Sequence, residues 1–273
     1  MTAHRSHMDF QMSLDGIENL GELFDRRSRA ADSCMNTFDL RHGVRYGEGQ
    51  NEMLNIFPAG SDAPVMIFIH GGFWKSLTAD LFSFLAPGFV PFGAALVVID
   101  YPLMPSCRMS DIIESCEKAV RWVHQNAASF GGDPDRIFIS GNSAGGHLVA
   151  ECMRRPVVDV IRGGTAISGL FDLQPVTMSF QNDDLQLTPN EVANFSPLGC
   201  PVEIDAPMIV AVGGEETEEF QRQSRAYAAH VGTDVLSAPG QNHITIVLDG
   251  LAGSNSELNR RVRDQMGLQR FGL

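Results

Sequence analysis

The stretch Ile137-Phe-Ile-Ser-Gly-Asn-Ser-Ala-Gly-Gly146 is the part of the sequence that indicates the fold most clearly. Its first four residues form a short apolar run typical of a buried strand, and the residues from Ala144 onward are typical of a helix. Between them, Gly141-Asn-Ser-Ala-Gly145 places a serine at a sharp strand-to-helix turn, with small residues two positions before and after it. Such a turn lifts the hydroxyl of Ser143 above the strand end, where the helix N-terminus favours negative charge. The segment therefore predicts a strand–turn–helix unit with Ser143 as the candidate nucleophile.

The same alternation of strand and helix continues along the chain. Continuous apolar runs typical of strands buried on both faces lie at Val65–Ile69, Ala95–Ile99, Ile137–Ser140, Thr165–Ser168 and Met208–Val212. Weaker strand candidates lie at Glu52–Phe57 and Asp234–Ala238, and helix-like stretches at about 78–90, 111–129, 144–155 and 217–231. This alternation predicts an α/β fold with a mainly parallel sheet flanked by helices on both faces.

Two segments lie outside this alternation. Apolar residues at helical spacing predict an amphipathic helix at about 13–32, within an N-terminal helical extension of residues 1–50. The polar stretch at about 170–200 contains Pro175, Pro189 and Pro197 and is expected to form a small cap-like excursion. We expect residues 1–273 to form a single domain. Whether the N-terminal helix caps the pocket, joins subunits or does neither stays open, and so does a homodimer.

Composition excludes several classes of protein. The 273 residues carry 20 Lys and Arg against 33 Asp and Glu, a net charge of −13, which disfavours nucleic acid and anionic lipid as partners. No apolar run approaches the roughly 20 residues of a membrane helix, and the N-terminus lacks the apolar core of a secretory signal. The five cysteines contain no C-x-x-C pair, so neither a disulfide framework nor a zinc site is indicated. We expect a cytoplasmic protein that acts on a small molecule and needs no cofactor or metal.

A second motif, His70-Gly-Gly-Phe-Trp74, directly follows the predicted Val65–Ile69 strand. If Ser143 attacks a carbonyl, backbone N–H groups must stabilise the resulting oxyanion, and losing one such donor costs roughly 2.7–4 kcal/mol of transition-state stabilisation. Adjacent glycines allow the backbone to approach a substrate closely. The amides of Gly71 and Gly72, together with that of Ala144 after the serine, are therefore the candidate oxyanion hole.

A histidine base and an acidic partner complete the candidate site. His243 is the last histidine of the chain and lies on a loop after the Asp234–Ala238 strand, where a serine–acid–histidine order would place the base. The acid should follow the Met208–Val212 strand, where Glu215 and Glu216 are adjacent, and periodicity does not choose between them. Its function would be to accept the Nδ1–H of the imidazole and fix the tautomer.

Taken together, these motifs resemble those of the α/β-hydrolases, and more narrowly those of the kynurenine formamidase-like and hormone-sensitive-lipase-like esterases. The resemblance covers roughly residues 50–250 and rests on His70–Trp74, Asp100–Pro102, Phe130–Arg136, Gly141–His147, Gly169–Leu173 and Glu219–Ser224. It implies that the acid lies four residues before Phe220, which selects Glu216. Phe73 in place of a third glycine favours the formamidase-like branch, and Asn142 stands where relatives often have histidine.

The resemblance and the candidate residues together predict a serine hydrolase that cleaves a small carboxylic ester or an N-formyl aryl amide through an acyl-enzyme. Phe73, Trp74 and Tyr101 are expected to line the substrate pocket, with residues of the excursion such as Phe171 and Phe180. Recognition of a substrate carboxylate would need a local cation. Arg108 and Arg154 are candidates, but no sequence pattern distinguishes them from the other arginines.

Two other functions are compatible with the same sequence. One is a general short-acyl carboxylesterase. The other is a non-catalytic receptor with the hydrolase fold, although such receptors usually lack the nucleophile or the base and this sequence contains candidates for both. The G-x-G-x-x-G spacing of dinucleotide-binding proteins, the P-loop motif and the H-E-x-x-H zinc motif are all missing from the sequence.

Overall fold

The computed structural model describes residues 3–201 and 205–268. One sheet is built from β1 (Arg41–Arg45), β2 (Met53–Phe57), β3 (Ala63–Ile69), β4 (Ala95–Ile99), β5 (Gly132–Asn142), β6 (Ile161–Ile167), β7 (Met208–Gly213) and β8 (Val235–Ala238). The strand order is β1-β2-β4-β3-β5-β6-β7-β8. Strands β3 to β8 run parallel, whereas β2 pairs antiparallel with both β1 and β4 at one side of the sheet.

Helices connect and cover these strands. The α-helices are α1 (Ala3–Gln11), α2 (Leu20–Thr37), α3 (Ala86–Phe89), α4 (Met109–Asn126), α5 (Ala144–Met153), α6 (Gln174–Thr177), α7 (Gln181–Leu185), α8 (Pro189–Asn194), α9 (Glu218–His230) and α10 (Glu257–Gln265). Short 3-10 helices lie at Ala79–Leu85, Val90–Phe92, Ala127–Phe130, Pro156–Val160 and Pro197–Gly199, and a π-helix at Ile246–Leu251. Within the described ranges, no helix combines the length and the apolar character that a bilayer crossing requires.

The central strand β3 shows why helices cover both faces of the sheet. All seven of its residues are buried, and alternate side chains enter different layers. Val65, Ile67 and Ile69 pack in the layer that contains helices α4 and α5. Met66 and Phe68 pack in the opposite layer, with the 3-10 helix Ala79–Leu85 and helix α10. The predicted mainly parallel sheet flanked by helices on both faces is confirmed.

The structure differs from the sequence expectation at several outer elements. The helix expected at about 13–32 begins later, at Leu20, and continues to Thr37 as α2, after a turn in which Asn19 adopts a left-handed conformation with φ of 55°. A separate helix that was not predicted, α1, precedes that turn. Strand β1 and helix α10 were not predicted, because both are too polar to show a buried period. In the excursion at 170–200, prolines that interrupt the strand–helix alternation begin the short helices α6 and α8.

Helix α5 approaches the ends of β3 and β5 so closely that side chains are excluded. A Cβ atom at Gly145 would overlap the carbonyl oxygen of Ile69, and a Cβ atom at Gly141 would overlap the carbonyl oxygen of Gly145. In both cases the obstacle is backbone that cannot rotate away. The glycines on either side of Ser143 are therefore required by the packing of strand against helix.

We expect Gly145→Ala to lower the free energy of unfolding by about 2–3 kcal/mol, since helix α5 would have to move away from the sheet. Gly21→Ala is the matched control, because its Cβ would lie in open space on helix α2. That control should be neutral or stabilising by up to about 1 kcal/mol. Urea unfolding followed by circular dichroism measures both, and equal stability of Gly145→Ala and the unsubstituted chain would contradict the packing argument.

Candidate active site

The candidate site lies at the edge of the sheet where the parallel strands end. Since parallel strands place their carboxyl ends at one edge, the segments that follow β3, β5, β6, β7 and β8 converge there. In chain order, these five segments carry Gly71, Ser143, Ser168, Glu216 and His243. All of these except Ser168 were predicted from the sequence as site residues.

Ser143 occupies the turn between β5 and α5 in a conformation that is uncommon for a residue with a side chain. Its φ is 58° and its ψ is −123°, and it is largely buried. The amide of Ser143 donates a hydrogen bond to the carbonyl of Ile167 at 2.9 Å, which ties the turn to strand β6. The strained turn is thus held by the sheet, and Ser143 lines a cavity above the strand ends.

Three backbone amides near Ser143 are available to a ligand. Within the described part of the chain, the amides of Gly71, Gly72 and Ala144 donate to no other residue. A Cβ atom at Gly71 would lie 3.0 Å from the Cβ of Ser143, so this backbone passes directly beside the candidate nucleophile. Gly71 and Gly72 both line the cavity, and Ala144 is the first residue of helix α5. Free backbone amides beside the candidate nucleophile are one requirement of an oxyanion hole, so these three stay its candidate donors.

His243 and Glu216 form a short buried contact. Nδ1 of His243 donates to Oε2 of Glu216 at 2.5 Å, while Oε1 of Glu216 accepts from the hydroxyl of Ser168 at 2.5 Å and from the amide of Gly213 at 2.7 Å. The donors on both oxygens fix the direction in which Glu216 meets the imidazole. With the proton on Nδ1, the lone pair of a neutral imidazole lies on Nε2, and His243 lines the same cavity as Ser143.

Of the two adjacent glutamates, only Glu216 meets the histidine. Glu215 is exposed, and its amide donates to the carbonyl of Gln241 at 3.0 Å. Ser168, whose hydroxyl donates to Glu216, was not predicted as a site residue. It follows strand β6, whereas Glu216 follows strand β7, and no sequence pattern connects the two positions. The available signal was the position of Ser168 at the carboxyl end of a predicted strand, the same position that drew attention to the other candidates.

The cavity above Ser143 has a volume of about 470 Å³, and its walls are mainly apolar. Of the residues expected to line it, Phe73 and Phe180 do so. Trp74, Tyr101 and Phe171 do not, and this corrects the expectation for them: all three are fully buried in the core behind the cavity.

The buried positions of Trp74 and Tyr101 have specific causes. The indole N–H of Trp74 donates to Nδ1 of His147 at 3.2 Å, and His147 in turn donates from Nε2 to the carbonyl of Phe195 at 2.8 Å. Burial lowers the pKa of His147, consistent with a neutral ring inside the packing. The hydroxyl of Tyr101 donates to the carbonyl of His70 at 2.8 Å. Both aromatic residues therefore hold the loop of Gly71 and Gly72 from behind.

The two arginines considered for carboxylate recognition lie elsewhere. Arg108 donates from Nε to Glu191 at 3.0 Å, and Arg154 pairs with Glu151 at 2.7 Å. Neither lines the cavity, whereas Arg27 of helix α2 does. Asn142, noted in the sequence as a departure from related proteins, also lines it, and its side-chain nitrogen has no partner among the described residues.

The fold and the residues at its edge define the class of protein. The α/β hydrolase fold family matches residues 66–256, which contain Ser143, Glu216 and His243, and the chain belongs to this family. The chain is a hydrolase, as the sequence predicted.

Particular relatives carry several different activities in their names. A kynurenine formamidase of Danio rerio is 30% identical over 67% of this chain and 66% of its own length. An isoprenylcysteine alpha-carbonyl methylesterase of Arabidopsis thaliana is 28% identical over 80% of this chain and 60% of its own length. Among solved structures, a Silicibacter sp. TM1040 protein described provisionally as a thioesterase is 28% identical with a TM-score of 0.84, covering 93% of this chain and 97% of its own. This chain thus spans less than two thirds of both curated relatives.

We expect Glu216→Gln to lower kcat by about 10²- to 10⁴-fold, because an amide in place of the carboxylate favours the wrong histidine tautomer. Glu215→Gln removes the same charge one residue away and should leave kcat within about twofold, since Glu215 is exposed. Steady-state hydrolysis of p-nitrophenyl acetate compares the two variants. A larger loss from Glu215→Gln would move the acid by one residue.

Proposed function

We propose that the chain is a serine hydrolase with a Ser143–His243–Glu216 triad. The observation that carries the proposal is the 2.5 Å contact between His243 and Glu216 in a cavity wall shared with Ser143. Nε2 of His243 takes the proton from the hydroxyl of Ser143 as its oxygen attacks the substrate carbonyl. Glu216 holds the imidazole in the required tautomer and stabilises the imidazolium that forms.

The amides of Gly71, Gly72 and Ala144 stabilise the oxyanion of the tetrahedral intermediate. They are preorganised, since none of them must break another protein hydrogen bond first. When the intermediate collapses, the imidazolium gives its proton to the leaving group and the acyl group stays on Ser143. Water, activated by the same histidine, then releases the acid and restores the serine.

The substrate we propose is a small aryl ester or an N-formyl aryl amide, as for an arylformamidase. Five phenylalanines line the cavity, namely Phe24, Phe73, Phe82, Phe84 and Phe180. Such walls favour an aromatic leaving group, and the formamidase relative supports a formyl acyl group. The methylesterase relative supports the second candidate, a general short-acyl carboxylesterase.

Hydrolysis of N-formylkynurenine and of p-nitrophenyl acetate by the unsubstituted chain and by Ser143→Ala tests the proposal. We expect Ser143→Ala to lower kcat for both compounds by at least about 10⁴-fold, because the acyl-enzyme cannot form. Ser110→Ala, an exposed serine on helix α4, is the matched control and should keep full activity.

The two substrates separate the candidate functions. Efficient deformylation that depends on Ser143 would support the arylformamidase assignment. Ester cleavage alone would leave the triad in place and favour the carboxylesterase. Activity of Ser143→Ala near that of the unsubstituted chain would overturn the triad.

A further inference from the structure

Arg27 places a buried positive charge in the wall of the candidate active site. It lies on helix α2, is only 9% exposed, and lines the same cavity as Ser143 and His243. Its guanidinium lies 4.9 Å from the ring centre of Phe24, one turn earlier on the same helix, and 5.7 Å from that of Phe82. The charge is thus held between two aromatic rings at the cavity wall.

This guanidinium has no anionic partner in the part of the chain that the structure describes. Among the described residues, Arg27 forms no hydrogen bond and no ion pair, and its Nε is buried without an acceptor. The other long cationic side chain of the cavity, Lys75, pairs with Asp184 at 2.5 Å. Asp15 also lines the cavity but is exposed and does not reach Arg27 within ion-pair distance. Arg27 therefore differs from its surroundings in lacking a counter-charge.

An unpaired buried charge is unfavourable unless something else compensates for it. A guanidinium removed from water loses hydration, and the faces of two phenylalanine rings replace only part of it. Burial lowers the pKa of Arg27, yet arginine stays protonated in proteins near neutral pH. An anion bound in the cavity would supply the missing partner.

Charge and shape favour a carboxylate over other anions. One guanidinium balances one negative charge, and its planar fork matches the two oxygens of a carboxylate. A second negative charge would meet Asp15 at the cavity and the overall net charge of −13. The phenylalanine walls suit a flat aromatic body between the carboxylate and the reacting carbonyl.

We infer that Arg27 binds a carboxylate of the substrate, so that the substrate class is an aryl ester or aryl amide carrying one carboxylate group. This inference rests on the proposed function for the bond that is cleaved. It makes Arg27 a specificity-determining residue supplied by the N-terminal helices.

The kinetic test compares 4-acetoxybenzoate with the neutral, similarly shaped 4-acetoxybenzamide. The unsubstituted chain should prefer the anion in kcat/KM. Arg27→Met, which keeps the apolar stem, should lower kcat/KM for the anion by about 10- to 100-fold, mainly through KM, and change the value for the amide by less than about twofold. Arg27→Lys should retain part of the preference, because it keeps the charge but loses the fork.

Arg26→Met is the matched control. Arg26 lies on the same helix but pairs with Asp249 away from the cavity, so its loss removes the same net charge without touching the cavity wall. It should leave the preference for the anion unchanged. Equal losses of Arg27→Met on both substrates would reduce Arg27 to a structural residue and overturn the inference, as would no preference in the unsubstituted chain.

A binding test separates this inference from the proposed reaction. Calorimetry with benzoate and benzamide requires no turnover and uses the folded chain or Ser143→Ala. We expect benzoate to bind at least about tenfold more tightly than benzamide, and Arg27→Met to abolish the difference. That result without any esterase or deformylase activity would refute the proposed function but support the carboxylate site, whereas equal binding of both compounds would refute the site.

Discussion

The close approach of helix α5 to the ends of β3 and β5 is the constraint on which the site depends. A Cβ at position 145 would overlap the carbonyl oxygen of Ile69. Because Gly145 has no Cβ, the chain can turn sharply enough to place Ser143 at the helix N-terminus. The same approach brings the backbone of Gly71 beside Ser143. The candidate nucleophile and the candidate oxyanion donors are thus positioned by one packing contact between backbones, and neither depends on a flexible side chain.

Electrostatics in the site follows from which buried charges have partners. Glu216 is enclosed by donors from Ser168, Gly213 and His243, so its charge is fully used within the protein. Arg27 is the opposite case: its buried charge lies against aromatic rings and has no acceptor among the described residues. A satisfied charge serves the reaction whatever the substrate is, whereas an unsatisfied one can be completed only by what enters the cavity.

The parts of the site that could be predicted are those whose signal is local. The turn around Ser143 and the glycine pair at Gly71 are short motifs directly after strands, and the predicted parallel direction of those strands places both motifs at one edge of the sheet. Arg27 could not be found this way, since its helix is polar overall and a cavity-facing arginine looks there like a solvent-facing one. Trp74 was misplaced for the converse reason: an aromatic residue beside a motif can support the motif from the core, and only the packing against His147 decides.

The proposed catalytic residues and part of the cavity wall come from different parts of the chain. The family match begins at residue 66, so it includes every proposed catalytic residue but excludes Phe24 and Arg27 of helix α2. Relatives that share the matched region can therefore share acyl transfer while binding different leaving groups, as the formamidase and methylesterase names illustrate. Helix α2 packs over the cavity from outside that region. Part of the substrate selectivity is consequently to be sought in the N-terminal helices, where the proposed carboxylate site at the buried Arg27 would set the charge of the molecule that fits.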